Sequence, residues 1–309
     1  MSASASPTVC VIIAAKDAAA TVGRAVRSAL AQPEVAQVIL VDDGSADDTC
    51  GAATAAGDGR LQTIRLERNL GPSGARNRAL EAARADLVAI LDADDFMLPG
   101  RIGKMLARSA ACDILADDLL YSDDDGATVK PRGLLELAED DEDFLTFERF
   151  VLGNISRPGR PRGELGFLKP LMRRDFLTTH GLVYDPSLRL GEDFALYARA
   201  LAAGARFKVV PPCGYVSVVR PDSLSGRHSA EDLAALCAFD AGLAQTACLA
   251  PSELRALRRH EQSLRVKVAH RQVLQAKAER DYGRVARMLL DVRSGPGVAA
   301  AIARDKLRR

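Results

Sequence analysis

Tryptophan is absent from this 309-residue chain, and aromatic residues make up only 5% of it. Proteins that bind single-stranded nucleic acid stack bases on aromatic side chains, so this scarcity argues against that class. Long apolar runs are also missing, since no stretch approaches the roughly 18 apolar residues that predict a membrane-spanning helix. The polar start, residues 1–5, lacks the basic and apolar regions of a signal peptide, which predicts a cytoplasmic protein.

The six cysteines include no Cys-x-x-Cys pair and lie mostly among apolar neighbours. The sequence therefore predicts buried, reduced thiols rather than disulfides or a zinc site. Hydrophobic residues make up 48% and charged residues 27% of the chain, as in an ordinary folded protein. A chain of 309 residues can bury a full core in one large domain or two.

Net charge is only +1 overall, but positive charge is concentrated at the C-terminal end. Residues 255–309 carry 15 Lys and Arg against 5 Asp and Glu, a local balance of +10. Segregated basic charge points to an anionic partner, either a membrane surface or nucleic acid. The alternative is a solvated basic helix face, because residues 254–275 also hold enough apolar side chains to pack as a helix on the body of the protein.

Apolar, β-branched runs alternate with segments of helical spacing through the first third of the chain. The predicted strands are Val9–Ala14, Val38–Val41, Leu61–Leu66 and a run that ends at Asp92. Ser45 with Asp48 three residues later is a capping-box signature for the second helix, which ends near Gly57. A β-α-β-α-β-α-β alternation predicts a largely parallel sheet between helices, that is, an α/β fold.

Beyond the fourth strand the pattern loosens, but a helix over Ile102–Ser109 and strands over Ile114–Ala116 and Phe207–Val210 are still predicted. The acidic stretches 117–126 and 139–143 show no period and are predicted to be solvated loops. Residues 157–163 are rich in Pro, Gly and Arg, which predicts a mobile flap that orders over a polyanionic ligand.

The fourth predicted strand ends in a cluster of acids. The apolar run Val88–Leu91 is followed by Asp92, Asp94 and Asp95. Carboxylates crowded at the carboxyl end of a strand repel one another, and a bound divalent cation or cationic ligand relieves that repulsion. Oxygen ligands on short spacing suit Mg²⁺ or Mn²⁺. The alternative is an acidic surface turn without a ligand.

A second acidic pair, Glu192 and Asp193, follows Gly191 and precedes a stripe of apolar residues at helical spacing. The two acids therefore occupy a helix N-terminus, and the helix is predicted to end at Gly204. The helix dipole favours negative charge at that position, so stability alone can explain the pair.

Taken together, these motifs resemble the family 2 glycosyltransferases of the GT-A fold, from about residue 9 to 225. The motifs are Val-Asp-Asp-Gly-Ser at 41–45, Asn-Leu-Gly-Pro-Ser-Gly-Ala-Arg-Asn at 69–77, Leu-Asp-Ala-Asp-Asp at 91–95 and Gly-Glu-Asp at 191–193. Leu-Lys-Pro-Leu-Met-Arg-Arg-Asp-Phe at 168–176 adds a likeness to bacterial exopolysaccharide glycosyltransferases of the succinoglycan type. The resemblance implies a GT-A domain over 1–227, with a nucleotide-sugar half at about 8–110 and an acceptor half at about 111–227. A helical basic region over 228–309 follows.

What the resemblance implies is inverting transfer of a sugar, most often glucose, from a UDP-sugar to a hydroxyl of a lipid-linked oligosaccharide. The implied cofactor is Mg²⁺ or Mn²⁺. The basic tail then suggests peripheral contact with the cytoplasmic face of the inner membrane, and nucleic acid is not an expected partner. The alternatives are a glycosyltransferase of another cell-surface glycan and a nucleic-acid-binding protein without enzymatic activity.

The nucleotide-sugar-binding residues implied by the resemblance are Ala14, Asp17, Asp42, Arg76 and Asp92. Asp42 would accept the uracil N3 hydrogen, Arg76 would hold the base or a phosphate, and Asp92 would bind the ribose hydroxyls. Asp94 would hold the metal on the diphosphate. Family members usually carry Pro-x-Tyr-Asn after the first strand, whereas this chain has Lys16 where the aromatic ring would lie near uracil.

The resemblance makes Asp193 the general base that takes the proton of the acceptor hydroxyl, and Glu192 an acceptor-binding residue. Such a base lies across the sugar from the leaving phosphate, which explains why it comes from a distant segment. Its position at a helix start favours the ionised form that a base needs.

Two other classes collect acids around magnesium on an α/β sheet. A response-regulator receiver domain should carry its acidic pair after the first strand, but here the pair follows the second. A nucleotidyltransferase should carry a Gly-rich, basic phosphate loop after the first strand, and this chain has none there.

Overall fold

The fold centres on an eight-stranded mixed sheet with a smaller four-stranded sheet beside it. The computed structural model describes residues 7–123, 128–131, 135, 143–156, 164–219, 229–290, 297–300 and 302. The predicted flap at 157–163 and the predicted domain boundary after residue 227 lie outside the described residues.

The strands of the large sheet are β1 (Val9–Ala15), β2 (Val35–Asp42), β3 (Leu61–Arg65), β4 (Leu87–Ile90), β6 (Ile114–Asp117), β9 (Asp143–Leu145), β10 (Leu171–Arg173) and β11 (Phe207–Val210). The small sheet holds β5 (Phe96–Met97), β7 (Leu120–Ser122), β8 (Val129–Pro131) and β12 (Tyr215–Val218). The large sheet has the order β3-β2-β1-β4-β10-β6-β11-β9, and the small one β5-β12-β7-β8.

Helices cover the sheets and form the C-terminal region. They are α1 (Val22–Leu30), α2 (Thr49–Ala56), α3 (Gly71–Ala82), α4 (Arg101–Leu106), α5 (Phe147–Gly153), α6 (Arg174–Thr179), α7 (Glu192–Ala202), α8 (Ala230–Thr246), α9 (Pro251–Ala278) and α10 (Tyr282–Leu290). A 3₁₀ turn lies at Leu165–Phe167.

The parallel half of the large sheet confirms the predicted alternation. Strand β1 pairs in parallel with β2 and β4, and β2 with β3, so their carboxyl ends lie at one edge. The capping-box prediction is wrong, because α2 begins at Thr49 and its N-cap is Asp48, which accepts the N–H of Gly51. The Ser45 hydroxyl instead accepts the N–H of Asp17 from the neighbouring loop.

Strand β10 enters the middle of the large sheet from a late part of the chain. It runs antiparallel to β4 and β6, and Leu171 pairs with both Ala89 and Leu115. A three-residue strand is too short to show a hydrophobic period, so it could not be predicted from the residues alone. The small sheet went unpredicted for the same reason, since its strands have two to four residues.

The prediction that the acids of 117–126 are solvated is wrong for Asp117 and Asp118, which are buried. Strand β6 ends at Asp117, and the fully buried Arg101 of α4 places Nη2 2.7 Å from its Oδ1. Asp118 accepts the N–H of Leu135. Charge clustering in the sequence cannot show that a cation from another helix pairs with one of these acids.

All six cysteines are free thiols, as predicted. Burial is confirmed for Cys10, Cys112 and Cys213, whereas Cys248 is exposed. Burial raises the pKa of Cys10 to about 12, so this thiol is protonated and unreactive at neutral pH.

The C-terminal helices share the core of the α/β part. Leu236 of α8 and Leu257 and Leu264 of α9 belong to the same hydrophobic cluster as the sheet. A second, smaller cluster joins the far end of α9 to α10 around Val273 and Val285. In the part of the chain that the structure describes, no helix combines the length and apolar character needed to span a membrane.

Candidate active site

The loops that follow β1 and β2 are bound to each other at the carboxyl edge of the sheet. The Asp17 N–H donates to Ser45 Oγ (2.9 Å), and the Ala46 N–H donates to Asp17 Oδ1 (2.8 Å). The Ala18 N–H donates to Thr49 Oγ1 (2.9 Å). Asp17 adopts a φ of 49°, a left-handed conformation that a short polar side chain tolerates through local hydrogen bonds. These bonds place Asp17 and the end of β1, which includes Ala14, beside the β2 loop.

Asp42 ends β2 with its side chain fully buried in its own loop. Oδ1 accepts the N–H of Ser45 (2.9 Å), while Oδ2 lies 3.4 Å from Cys50 Sγ and 3.6 Å from Arg65 Nε. Both oxygens therefore have protein partners that shape the loop. The contact between Asp42 and uracil stays a prediction. The neighbouring Asp43 was not predicted.

Asp43 connects this loop to the start of α3. Its Oδ1 accepts the N–H of Leu70 at 2.6 Å, and burial raises its pKa. Lys16 lies over the same loops, with Nζ 3.3 Å from the Gly44 carbonyl and 3.3 Å from Asp17 Oδ2. Lys16, which stands where the resembling family usually has an aromatic ring, thus places a cation beside the loops that follow β1 and β2.

Arg76, in the second turn of α3, is buried and joins the two acidic clusters that the sequence separates by a hundred residues. Nη2 lies 2.9 Å from Asp92 Oδ1, and Nη1 lies 2.8 Å from Glu192 Oε1 and 3.5 Å from Asp193 Oδ1. The guanidinium stacks over the Tyr184 ring at 5.3 Å. Arg76 therefore joins Asp92, which was predicted to bind the donor, with Glu192 and Asp193, which were predicted to act on the acceptor.

Lys169 is a site residue that the sequence analysis missed. Its Nζ lies 2.7 Å from Asp193 Oδ2 and 3.0 Å from Asp92 Oδ2, and the side chain is buried. Burial opposes the charge on Lys169, but the two carboxylates outweigh it and raise its pKa. Burial likewise opposes ionisation of Asp92, yet Lys169 and Arg76 lower its pKa to about 2. The only signal was a lysine within the family-like motif at 168–176.

Tyr215 links the acidic motif to the small sheet. Its hydroxyl donates to Asp95 Oδ2 (2.8 Å) and accepts the N–H of Asp92 (3.2 Å), while the Val218 N–H donates to Asp95 Oδ1 (2.8 Å). Burial and the charges of Asp92 and Asp94 raise the pKa of Asp95 to about 7. Asp95 therefore supports the loop that carries Asp92 and Asp94.

Asp94 lies two residues after Asp92 and is half-buried, and its backbone carbonyl accepts Nη2 of Arg24 at 3.2 Å. Its role as a metal ligand stays a prediction. Among the described residues no three His, Cys, Asp or Glu side chains come close enough to form a metal cluster. A single carboxylate is compatible with Mg²⁺ or Mn²⁺ when substrate phosphates and water supply the remaining ligands.

Asp193 lies at the start of α7, as predicted, and the structure brings it to Asp92 through the shared contacts of Arg76 and Lys169. Its Oδ2 is bound by Lys169, while the buried Oδ1 accepts no hydrogen bond from the described residues. A carboxylate with one anchored oxygen and one oxygen that accepts no hydrogen bond retains the acceptor capacity that a general base uses.

Solved structures with the same architecture define the class of fold. The structure of S. aureus TarS 1–349 in complex with UDP-GlcNAc matches with a TM-score of 0.63 and 17% identity, over 91% of this chain and 90% of that chain. The mannosyltransferase PcManGT from Pyrobaculum calidifontis, in complex with GDP-Man and Mn²⁺, matches with a TM-score of 0.60 and 16% identity, over 97% and 80%. The chain therefore has the predicted GT-A fold.

The sequence relationships are closer. The model of Glycosyl transferase family 2 matches residues 10–176. The chain is 45% identical over 312 residues to the succinoglycan biosynthesis protein ExoU of Rhizobium meliloti (strain 1021), covering 100% of this chain and 91% of ExoU. The chain belongs to glycosyl transferase family 2 and is a glycosyltransferase.

Proposed function

We propose that this glycosyltransferase transfers glucose from a UDP-sugar to a hydroxyl of a lipid-linked oligosaccharide, with inversion, during synthesis of a succinoglycan-type exopolysaccharide. The observation that carries the proposal is the Asp193 carboxylate. Its Oδ1 accepts no hydrogen bond from the described residues, and it lies in the same buried cluster as Asp92, the proposed donor-binding residue. The name of ExoU supports the pathway, and the UDP-GlcNAc and GDP-Man complexes of TarS and PcManGT support a nucleotide-sugar donor.

The residues divide the reaction between two sides of the cluster. The loops at Asp17 and Asp42 with Arg76 and Asp92 would hold the nucleotide, and Asp193 Oδ1 would accept the proton of the attacking acceptor hydroxyl. The acceptor oxygen then bonds to the anomeric carbon as the bond to the UDP oxygen breaks. Direct displacement inverts the centre, so a UDP-α-sugar gives a β-linkage.

Glu192 would orient the acceptor beside the base, since it shares Arg76 with Asp193. Asp94 would hold Mg²⁺ or Mn²⁺, which neutralises the charge that develops on the UDP leaving group. The Mn²⁺ bound with the donor in PcManGT supports this assignment.

The Asp193→Asn substitution tests the proposed base. We expect turnover to fall by about 1000-fold, because the amide cannot take the acceptor proton, while UDP affinity measured by calorimetry stays within a few-fold. Asp175→Asn is a matched control at another helix start, where the carboxylate is exposed and bonds only locally. A fully active Asp193→Asn enzyme would remove this residue from the role.

A panel of UDP-, dTDP- and GDP-sugars tests the donor. We expect UDP-glucose with Mg²⁺ or Mn²⁺ to give the greatest thermal stabilisation and hydrolysis, and Asp94→Asn to lose the metal dependence. Preference for a GDP-sugar would contradict the proposed donor, and product release with retained anomeric configuration would contradict the proposed inversion.

We also propose that the basic C-terminal helices contact anionic lipid at the cytoplasmic face of the inner membrane, where a lipid-linked acceptor resides. Helix α10 exposes Tyr282 (66%) and Leu290 (80%) on one face, next to the exposed Arg287. Exposed apolar side chains bordered by cations are typical of interfacial helices.

Liposome flotation tests this contact with the full chain, because removing residues 255–309 would also remove core residues such as Leu264. We expect Tyr282→Ser/Leu290→Ser/Arg287→Glu to lose binding to vesicles containing anionic lipid, and the control Val183→Ser, exposed outside these helices, to bind normally. Equal flotation of both variants would remove α10 from docking. Salt-sensitive binding to DNA instead would favour the nucleic-acid alternative.

A further inference from the structure

Lys169 is placed in the site by the strand that follows it. Strand β10 runs antiparallel to β4 with Leu171 opposite Ala89, so the same register carries Lys169 opposite Leu91, directly before Asp92. Lys169 therefore reaches the acidic motif from the antiparallel neighbour of β4, and not from the parallel strands β1, β2 and β3.

The backbone on both sides of the Lys169 side chain is held by buried groups. The Lys169 carbonyl accepts Nη2 of Arg101 at 2.6 Å, and Arg101 is itself fixed by Asp117. The Leu168 carbonyl accepts the Tyr197 hydroxyl at 3.1 Å. Tyr197 lies one turn after the proposed base on α7, so the segment and the base helix are tied together at two points.

We propose that Lys169 is a positioning residue for the base: it anchors Asp193 Oδ2 and the donor-side Asp92 with one ammonium group, and so leaves Oδ1 of Asp193 directed to the acceptor. The inference rests on the proposed role of Asp193. The five charged groups Arg76, Lys169, Asp92, Glu192 and Asp193 sum to −1, and the proton delivered to Asp193 completes their charge balance.

Lys169 also balances negative charge in this cluster, because its ammonium lies 2.7 Å from Asp193 Oδ2 and 3.0 Å from Asp92 Oδ2. Among the described residues, the charged and titratable groups that surround Asp193 are Arg76, Lys169, Asp92, Glu192, Tyr184 and Tyr197. Without Lys169, Arg76 is the remaining cation of this set and Asp193 Oδ2 loses its hydrogen-bond donor, so the carboxylate is no longer held in one orientation.

The experiment compares Lys169→Met, Lys169→Gln and Lys169→Arg by kcat and by KM for the acceptor. We expect kcat to fall by about 100-fold in the Met and Gln variants, while KM for the acceptor stays within a few-fold. The Arg variant keeps a charged donor for Asp193 Oδ2, so it should recover part of the lost kcat. Lys169→Gln retains a hydrogen-bond donor and carries the test if the Met variant folds poorly.

Lys208→Met is the matched control. This second buried lysine lies in β11, away from Asp92 and Asp193, and donates to the Arg108 carbonyl. It should leave kcat and KM unchanged. A kcat within about three-fold of the parent in folded Lys169→Met or Lys169→Gln, or a loss of kcat that Lys169→Arg does not reduce, would overturn the inference. If Asp193→Asn is inactive in the same assay, that result leaves the proposed function standing, whereas an active Asp193→Asn enzyme would refute both.

Discussion

The donor half and the base-bearing region reach the same site by different means. In the half that holds the proposed donor residues, Asp42 ends β2 and Asp92 follows β4, so the parallel sheet places both, although Lys169 and Tyr215 also contact Asp92. In the region of the proposed base, Lys169 and Asp193 depend on contacts from segments far away in sequence. The family match over residues 10–176 covers the first region and ends before Asp193. The proposed donor residues are thus placed mainly by the parallel sheet, whereas placement of the proposed base requires the assembled tertiary structure.

Helices α8 and α9 extend that dependence to the C-terminal region. Leu236 of α8 packs on Gly191, directly before the base helix, and the His260 ring of α9 lies 4.5 Å from the ring of Phe194, directly after Asp193. His260 in turn places Nδ1 2.7 Å from Asp240 Oδ2. Helices α8 and α9 are therefore structural supports of the site.

Arg76→Met breaks both regions at once and should have the largest effect. It leaves Asp92, Glu192 and Asp193 with Lys169 as the only cation of their cluster, so we expect turnover to fall more than about 1000-fold and UDP affinity to fall with it. Arg78→Met, an exposed residue half a turn further along α3 that pairs only with Glu81 on the surface, is the control. Measurable turnover with unchanged UDP affinity would contradict the shared role of Arg76.

Arg101→Met separates the two regions, because this residue lies outside the donor site and anchors the Lys169 carbonyl. It leaves Asp117 buried without its cation, so chemical denaturation should show a loss of about 3–5 kcal/mol. In the folded fraction we expect kcat to fall more than UDP affinity.

The double variant Arg101→Met/Asp117→Leu removes both charges and should recover most of the lost stability, but not the anchor on Lys169. Recovery of kcat together with stability would show that the anchor does not contribute to catalysis.

Gly191→Ala tests the support from α8. Gly191 has a φ of 73°, and a Cβ there would lie 2.9 Å from Leu236 Cδ2. We expect a stability loss of about 1–2 kcal/mol from backbone strain and a lower kcat because the start of α7 must move. Gly204→Ala carries the same kind of strain (φ 88°) in open space beyond the other end of α7. It should lose stability to a similar extent while kcat is retained, and equal kcat in both variants would argue against the α8 support.

Asp240→Asn should have the smallest effect, visible as a pH dependence. Burial raises the pKa of Asp240 against the opposing effect of His260. Since the folded pKa lies above the unfolded value, the parent loses stability as pH rises through the window from about 4 to the raised value. The Asn variant has no such loss, so its Tm relative to the parent should rise with pH across that window. A difference in Tm between the variant and the parent that stays constant with pH would contradict the raised pKa of Asp240.

Prediction from the sequence succeeded where structure is local. The strands that lead to Asp42 and Asp92 and the helix starting at Glu192 follow from runs of apolar residues and turn signals, and the structure confirms them, with β4 ending at Ile90, before Asp92. Helix α3 begins at Gly71 with Pro72 in its first turn, where proline is tolerated.

The rest depended on pairing between distant segments. Apart from its place in the motif at 168–176, Lys169 carries no local signal, because its role arises only when β10 enters between β4 and β6. In the sequence Asp117 resembles the other acids of 117–126, since nothing near it reveals the cation of α4. The roles of Ala14, Asp17, Asp42 and Glu192 toward the substrates stay predictions.

The position of β10, which follows β4 and β6 in sequence but lies between them in the sheet, has a consequence for how the enzyme gains activity during folding. Until residues 171–173 insert, β4 and β6 present unpaired backbone edges, and pairing across such sequence distance is slow. Lys169 enters with the same strand. On refolding we therefore expect nucleotide affinity to return first and turnover last, with the interval between them set by closure of the sheet.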